Sequence, residues 1–193
     1  MSILVIDNYD SFTYNLVHLV EGITDEQLDI YQNDAIDMDA IGSYDRIILS
    51  PGPGLPKDAG IMIQLIKNYG AVKKILGICL GHQAIAEAYG GRLFNLDKVF
   101  HGMATKLIVE APCYILNGLS ENERIGRYHS WVVDEKSISD QFNIIARDEN
   151  GLLMGIEHKE HDVIGLQFHP ESILTSCGRR ILENWIGNFK HFR

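Results

Sequence analysis

Short apolar runs alternate with longer amphipathic stretches through the first half of the chain. The apolar runs at residues 3–7, 28–32 and 46–50 have the length of strands. Helices are predicted between them at residues 12–22 and 58–69, the second followed by Gly70. Apolar runs of this kind are typical of parallel strands buried on both faces, so the first half predicts an α/β fold with a parallel sheet.

The second half reads differently, as a series of shorter extended pieces. Strands are predicted near residues 97–100, 105–109, 127–129, 131–133 and 143–146. A strand pair follows at 153–158 and 163–168, joined by the polar turn 159–162, and the last helix is predicted at 176–189. Antiparallel additions to a parallel sheet are expected. Without repeats or linkers, residues 1–193 are predicted to form one mixed α/β domain.

Composition narrows the class of protein. The chain has 193 residues, 46% of them hydrophobic and 22% charged, which is typical of a soluble globular protein. Its formal net charge of −9 argues against nucleic-acid binding. No apolar run is long enough for a membrane span, and no signal peptide is evident. Three scattered cysteines favour a reducing cytoplasm and lack the spacing of metal ligands, so neither a metal nor a cofactor is expected.

Cys79 is the first candidate for chemistry. It lies in Gly-Ile-Cys-Leu-Gly, after the apolar residues 75–78 and before a helix-like stretch at 82–89. A glycine on each side of a central nucleophile, between a strand and a helix, is the pattern of a nucleophile elbow. A thiolate there would also meet the positive end of a helix. The alternative is a small buried core residue, as for most free cysteines, and Cys113 and Cys177 are interpreted in that way.

A partner for a cysteine nucleophile is present at His169. It opens His-Pro-Glu directly after the strand predicted at 163–168. On an extended backbone His169 and Glu171 share a face, and Pro170 keeps His169 out of helical conformation. The histidine would move the proton and the carboxylate would orient its ring. Taken alone, this motif is equally compatible with an ordinary strand exit.

The third motif is the loop Ser-Pro-Gly-Pro-Gly at residues 50–54, after the strand 46–50. Two prolines alternating with two glycines make a stiff loop, in which the glycines carry the free N–H groups. Such a loop can present an N–H to an oxyanion. In isolation it would be interpreted as a rigid turn, and it lacks the Gly-Lys-Ser/Thr of a phosphate loop.

Together these motifs resemble the class I, or triad-type, glutamine amidotransferases. The resemblance covers essentially the whole chain and is closest to the glutaminase subunits of anthranilate synthase and aminodeoxychorismate synthase. The segments that carry it are DNYDSFTYN at 7–15, SPGPG at 50–54, GICLGHQA at 77–84, RYHS at 127–130 and QFHPESILT at 167–175. It implies a three-layer α/β fold with a mixed, mainly parallel central sheet, similar to flavodoxin.

The resemblance also implies roles for individual residues. Cys79 would attack the side-chain amide of L-glutamine, His169 would be the base, and Glu171 would orient it. Backbone N–H groups of Gly52 and Leu80 would hold the oxyanion. The remaining positions would hold the glutamine: Gly54, Gln83, Ser130 and Trp131.

The family resemblance implies a partner as well. Glutamine hydrolysis would deliver ammonia to a chorismate-binding synthase subunit on a separate chain. The sequence of residues 127–131 favours anthranilate synthase as that partner. The alternatives are a stand-alone cysteine hydrolase of γ-glutamyl or peptide bonds, and a non-catalytic regulatory relative, which would need a broken triad.

Three further sites have competing interpretations. His129 is expected to belong to the substrate loop rather than to act as a second base. Asp7, Asp10 and Ser11 are expected to form a helix-capping turn rather than a cation site. Residues 101–102 are either a simple turn or part of a surface that the family presents near its synthase partner.

Overall fold

The computed structural model describes residues 1–97, 99–138 and 140–187. In chain order the strands and helices are β1 (Ser2–Asp7), α1 (Thr13–Glu21), β2 (Gln27–Gln32), α2 (Met38–Ile41), β3 (Arg46–Leu49), α3 (Met62–Tyr69), β4 (Lys74–Ile78), α4 (Leu80–Ala88), β5 (Leu93–Asn95), β6 (Met103–Val109), β7 (Arg124–Arg127), β8 (Trp131–Val133), β9 (Phe142–Asp148), β10 (Leu153–His158), β11 (Val163–Leu166) and α5 (Gly178–Gly187).

A nine-stranded sheet with the order β2-β1-β3-β4-β11-β10-β9-β6-β7 forms the centre of the described structure. Strands β2, β1, β3, β4 and β11 pair in parallel, and β10, β9, β6 and β7 extend the sheet by antiparallel pairing. β5 and β8 form a separate antiparallel pair. The predicted fold class, a mixed and mainly parallel sheet, is therefore confirmed.

Helices cover both faces of the sheet and give three layers. One apolar cluster joins α1 and α5 to the first face, where Trp185 and Phe168 are fully buried. The other joins α2, α3 and α4 to the opposite face. Because both faces of β1, β3, β4 and β11 are covered, these strands consist of nearly continuous buried runs.

The adjacency of β4 and β11 positions the candidate site. They pair in parallel, with Leu166 opposite Ile78, so their carboxyl ends meet at one edge of the sheet. Cys79 follows β4 there, and its N–H donates to the Leu166 carbonyl over 2.8 Å. The segment that carries His169 follows β11. Residues distant in sequence thus become neighbours through one strand pairing.

An isolated antiparallel bridge joins Gly126 of β7 to His169. β7 ends the strand order, yet this bridge returns it to the segment that continues β11. The antiparallel part of the sheet therefore curls into a ring of hydrogen-bonded segments that closes at His169.

Several predicted boundaries were wrong. Residues 97–100 were expected to be a strand, but the strand is Leu93–Asn95, and the Phe100 N–H instead bonds to the carbonyl of His129. The helix expected from 58 begins at Met62, because Gly60 adopts a positive φ of 54° after a 3₁₀ turn at Pro56–Asp58. α2 was not predicted. The expected end of the last helix at 189 lies outside the described residues.

None of the helices in the described part of the chain combines the length and apolar character needed to cross a bilayer.

Candidate active site

Cys79 occupies a sharp turn between β4 and α4. Its backbone has φ 52° and ψ −98°, and Tyr9 is the other non-glycine residue with positive φ in the described ranges. Two glycines give this turn its room. A Cβ on Gly77 would lie 2.4 Å from the Gly81 carbonyl, and one on Gly81 would lie 2.4 Å from the Leu49 carbonyl oxygen. The turn predicted at Cys79 is therefore present, with a strained backbone of the kind found at functional sites.

Hydrogen-bond donors lie beside the sulfur of Cys79. α4 begins at Leu80, so the unpaired N–H groups and positive dipole end of that helix lie beside Cys79. The Nε2 of Gln167 donates a hydrogen bond to Sγ over 3.7 Å. A thiolate at this position would meet both a helix N-terminus and a side-chain donor.

His169 and Glu171 form a close pair beside Cys79. The ring Nδ1 of His169 lies 2.6 Å from the Glu171 carboxylate, whose side chain is fully buried. The ring Nε2 is buried, with no hydrogen bond of regular geometry within the described residues. Burial lowers the pKa of His169, but the negative charge and hydrogen bonding of Cys79, together with Glu171, outweigh burial and raise it to about 10. The surroundings of His169 thus favour the positive, imidazolium form of its ring.

Aromatic side chains hold the His169 ring in place. Tyr128 and Phe12 meet it edge-on, with centroid distances of 4.9 Å and 5.6 Å. The His169 N–H donates to the Gly126 carbonyl over 3.0 Å, and the Thr175 hydroxyl donates to the His169 carbonyl over 2.5 Å. Both the backbone and the ring are therefore fixed from several sides.

A cavity of about 330 Å³ opens in front of Cys79. Its volume is at the lower end of the roughly 300–1,000 Å³ of ligand sites, which fits a small metabolite. All six residues predicted to hold substrate or oxyanion line it, namely Gly52, Gly54, Leu80, Gln83, Ser130 and Trp131. His169 and Glu171 do not line the cavity. The His169 ring lies close enough to Cys79 for the two side chains to interact.

The loop at residues 50–54 is fixed by a buried amide network that sequence reasoning missed. The Asn8 side chain donates to the Ser50 carbonyl over 2.8 Å and accepts from the Asn33 amide over 3.0 Å. Gly52 packs so closely that an added Cβ would lie 2.5 Å from Asn8 Cβ and 2.8 Å from Leu80 Cδ2. The loop is therefore locked against the turn that carries Cys79.

His129 lines the same cavity as a neutral ring. Its Nε2 accepts from Arg127 Nε over 3.2 Å, so Nδ1 carries the proton and donates to the Trp131 carbonyl over 3.1 Å. Burial, and then the Arg127 charge, lower the pKa of His129 to about 3. Arg127 in turn forms a fully buried ion pair with Asp148. This network holds the loop at 127–131, which was predicted as a strand from 127 to 129 but leaves β7 at Arg127.

Local geometry describes two further segments for which alternatives were weighed. The capping turn before α1 forms around Asp10, whose carboxylate accepts from the Phe12 N–H over 2.7 Å, while Phe12 rather than Ser11 occupies the N-cap position. His101 and Gly102 lie in a turn, with Gly102 at φ 68°, and the His101 ring contacts Tyr128 at 6.0 Å.

Comparisons with known proteins agree with this geometry. The family model described as glutamine amidotransferase class-I matches residues 4–188. The chain is 42% identical to anthranilate synthase component 2 of Cyanophora paradoxa, covering 95% of this chain and 97% of that protein. It is also 42% identical to aminodeoxychorismate synthase component 2 of Escherichia coli, covering 95% and 98%.

Two further comparisons extend these. The bifunctional protein TrpGD of Thermotoga maritima is 38% identical over 95% of this chain, which spans 32% of that longer protein. A crystal structure described as a GMP synthase subunit from Thermoplasma acidophilum superposes with a TM-score of 0.86 at 27% identity, covering 97% of this chain and 92% of that one. The chain belongs to the class-I glutamine amidotransferase family.

Proposed function

We propose that this chain is the glutaminase subunit of a two-component synthase that acts on chorismate, and that residues 1–193 serve it as a single glutamine amidotransferase domain. The observation that carries the proposal is the position of Cys79. The residue stands at a strained strand-to-helix turn, lines a substrate-sized cavity and interacts with His169 of the His169–Glu171 pair.

In the first half of the reaction, the Cys79 thiolate attacks the side-chain carbonyl carbon of L-glutamine. The oxyanion accepts hydrogen bonds from the N–H groups of Leu80 and Gly52, and Leu80 is the first residue of α4, where N–H groups lack helical partners. His169 gives its Nε2 proton to the departing nitrogen. Ammonia leaves and a γ-glutamyl thioester remains on Cys79.

In the second half, a water molecule attacks the thioester carbonyl. His169 takes the proton from the water and the carbon–sulfur bond breaks. Glutamate is released, and Cys79 is again a thiolate beside the His169 imidazolium. Glu171 accepts from Nδ1 in both halves, which fixes the ring and stabilises its charge.

The cavity residues give the substrate its orientation. Both N–H bonds of the Gln83 amide are used, one by the Trp131 carbonyl at 2.9 Å and one by Gln167 Oε1 at 3.2 Å. The carbonyl oxygen of Gln83 is therefore the end that can accept from the ligand. Gly54, Ser130 and Trp131 complete the enclosure around the α-amino and carboxylate groups.

The partner is a separate chorismate-binding chain. The relatives of matching length carry component 2 names, which supports a component 1 for the other half of the reaction. Ile173 supports docking at this edge of the sheet, because it is 98% exposed only two residues after Glu171. An apolar side chain in water beside the site fits a surface that a second subunit covers.

Two synthases remain candidates for that partner. The chain is 42% identical to an anthranilate synthase component and 42% identical to an aminodeoxychorismate synthase component, so identity does not separate them. We propose anthranilate synthase as the preferred candidate, because of the sequence of residues 127–131, and aminodeoxychorismate synthase as the alternative. Both reactions belong to the cytoplasm, where the three free buried cysteines stay reduced.

The test is glutamine hydrolysis by the isolated chain, then with each synthase subunit, then with chorismate added. The expected result is a low rate alone, which one of the two synthase chains raises and chorismate raises again. A rate that is high alone and unchanged by either synthase chain would favour the stand-alone hydrolase instead.

A further inference from the structure

Gln167 is a buried polar residue inside an otherwise apolar run. It follows β11 with no exposed surface. One end of its amide contacts the reacting atom, since Nε2 lies 3.7 Å from Cys79 Sγ. The other end, Oε1, accepts from Gln83 Nε2 over 3.2 Å. Gln167 therefore touches the nucleophile, although it neither lines the cavity nor belongs to the triad.

The Gln167 amide lies at one end of a chain of hydrogen bonds that begins at Arg127. A guanidinium only donates, so His129 Nε2 must accept from Arg127 Nε and the His129 proton must be on Nδ1. That Nδ1–H donates to the Trp131 carbonyl, which only accepts. The proton order is therefore fixed as far as Trp131.

The Trp131 carbonyl also fixes the orientation of the side-chain amides of Gln83 and Gln167. Gln83 must turn its NH₂ group toward Trp131, and the second hydrogen of that group meets Gln167. Gln167 must then present its oxygen to Gln83 and its own NH₂ group to the sulfur of Cys79. Each link allows one orientation, and the last orientation aims a donor at the sulfur.

We propose that Gln167 is a further catalytic residue, which stabilises the Cys79 thiolate by an N–H···S hydrogen bond, that the Trp131 carbonyl fixes its orientation through Gln83, and that His129 links this chain to Arg127. The proposal rests on the proposed role of Cys79 as the nucleophile. The donor would act in every turnover, because the sulfur returns to its negative form each time the thioester is hydrolysed. The chain of hydrogen bonds also joins the sulfur to the loop at 127–131, so that the donor and the substrate loop are held as one unit.

The first test measures the rate of Cys79 alkylation by iodoacetamide against pH. It uses the full chain with Cys113→Ser and Cys177→Ser, so that a single thiol remains. Gln167→Met keeps the volume but removes the donor, and it should raise the pH midpoint of alkylation by about one unit, which is a tenfold loss of thiolate below that midpoint. Gln167→Glu places a like charge beside the sulfur and should raise it further.

The matched control is Thr105→Val. Thr105 is also a buried polar residue of the sheet, and its hydroxyl has no hydrogen-bond partner in the described structure. This variant should leave the midpoint unchanged. If Gln167→Met retains the wild-type midpoint while melting cooperatively, the proposed hydrogen bond to the thiolate is wrong. The alkylation measurement needs no glutamine, so it is independent of whether the chain proves to be a glutaminase.

The second test reads the proton order directly. In ¹⁵N spectra of the histidine rings of the full chain at neutral pH, His129 should be the neutral tautomer with its proton on Nδ1. A proton on Nε2 would leave nothing for Arg127 Nε to donate to and no donor for the Trp131 carbonyl at Nδ1, and it would overturn the proposed link between the Gln167 chain and Arg127. This measurement requires no substitution, so it decides the point even where a variant of the buried Arg127 fails to fold.

Discussion

The Glu171 carboxylate lies 2.6 Å from Nδ1 of His169, and both side chains are almost completely excluded from water. A carboxylate that close fixes the tautomer of the ring and stabilises its positive form, which leaves Nε2 as the atom that can exchange a proton with the sulfur or with the leaving nitrogen.

That arrangement predicts unequal effects for the two residues. His169→Ala should lower glutamine hydrolysis by about 10³-fold or more, because no other described group can transfer the proton. Glu171→Ala should lower it by about 10²-fold, since the ring is still held by Tyr128 and Phe12. Single-turnover hydrolysis by the reconstituted complex measures both. If His129→Ala were the more damaging histidine change, the base would have been assigned to the wrong residue.

Cys79→Ser should abolish glutamine-dependent synthesis by the complex and leave ammonia-dependent synthesis intact, because only the glutamine half uses the thiol. A chloroketone analogue of glutamine should alkylate Cys79 and spare Cys113 and Cys177. Cys79 lines the cavity, whereas those two thiols do not. Burial, followed by the charge of Glu123, also raises the pKa of Cys177 to about 12. Mass spectrometry of peptides locates the label, and labelling spread evenly over all three cysteines would contradict the assignment.

The crowded glycines at the turn predict a large cost for a single methyl group. Gly81→Ala should destabilise the fold by about 2 kcal/mol or more, because its Cβ would lie 2.4 Å from the Leu49 carbonyl oxygen. Gly187→Ala is the matched control, since nothing lies within 4 Å of an added Cβ there. Urea unfolding measures both variants, and equal stabilities would contradict the close packing at the turn.

Stability should fall in mild acid because His82 is buried in neutral form. Burial lowers the pKa of His82 from 6.5 to about 4, so the unfolded chain takes up the proton first as the pH falls. The contribution of neutral His82 is complete above pH 6.5 and is lost toward pH 4. It amounts to about 2 kcal/mol between pH 6.5 and 5.

His82→Leu should therefore flatten the dependence of unfolding free energy on pH by about that amount. The exposed His18 provides the control, and His18→Gln should keep the wild-type slope. Urea titrations at several pH values between 5 and 7 measure the slopes. Identical slopes in wild type and His82→Leu would show that His82 does not carry this dependence.

Exposed Ile173 predicts where the synthase subunit docks. Ile173→Asp should weaken complex formation at least tenfold, because it places a charge in an apolar contact beside the site. Alkylation of Cys79 in the isolated chain should be unaffected. Val72→Asp is the control, since Val72 is also exposed but precedes β4, at the opposite edge of the sheet from Cys79. Equal affinities of both variants for the synthase, measured by titration calorimetry, would place the interface elsewhere.

The parallel half of the fold could be predicted because each strand carries its own signal. The buried parts of β1, β3 and β4 consist mainly of consecutive apolar residues. Such continuous apolar runs are typical of strands that are covered on both faces. The error at residues 97–100 has the opposite origin. The apolar side chain of Phe100 does not face the interior of a sheet. Its ring lies on the guanidinium of Arg127 at 3.5 Å, a contact that the sequence does not reveal.

The site was predictable only in part, for a related reason. The turn at Cys79 has a local signature in its flanking glycines, and the cavity residues came from the resemblance to a family. Asn8, Phe12 and Asp148 carry no such signature, because their contacts join segments far apart in sequence. Gln167 had a weak signal, a single amide at the end of an apolar strand, which became interpretable only when its neighbours were placed.

The bridge between Gly126 and His169 ties the mobility of the proposed base to that of an edge strand. The amide hydrogen of His169 exchanges with solvent only when this bridge opens, and opening requires β7 to separate from the segment after β11. The protection of that single amide against deuterium should therefore follow the detachment of β7. A ligand or partner chain that steadies β7 would slow the exchange and keep the imidazole aligned at the same time.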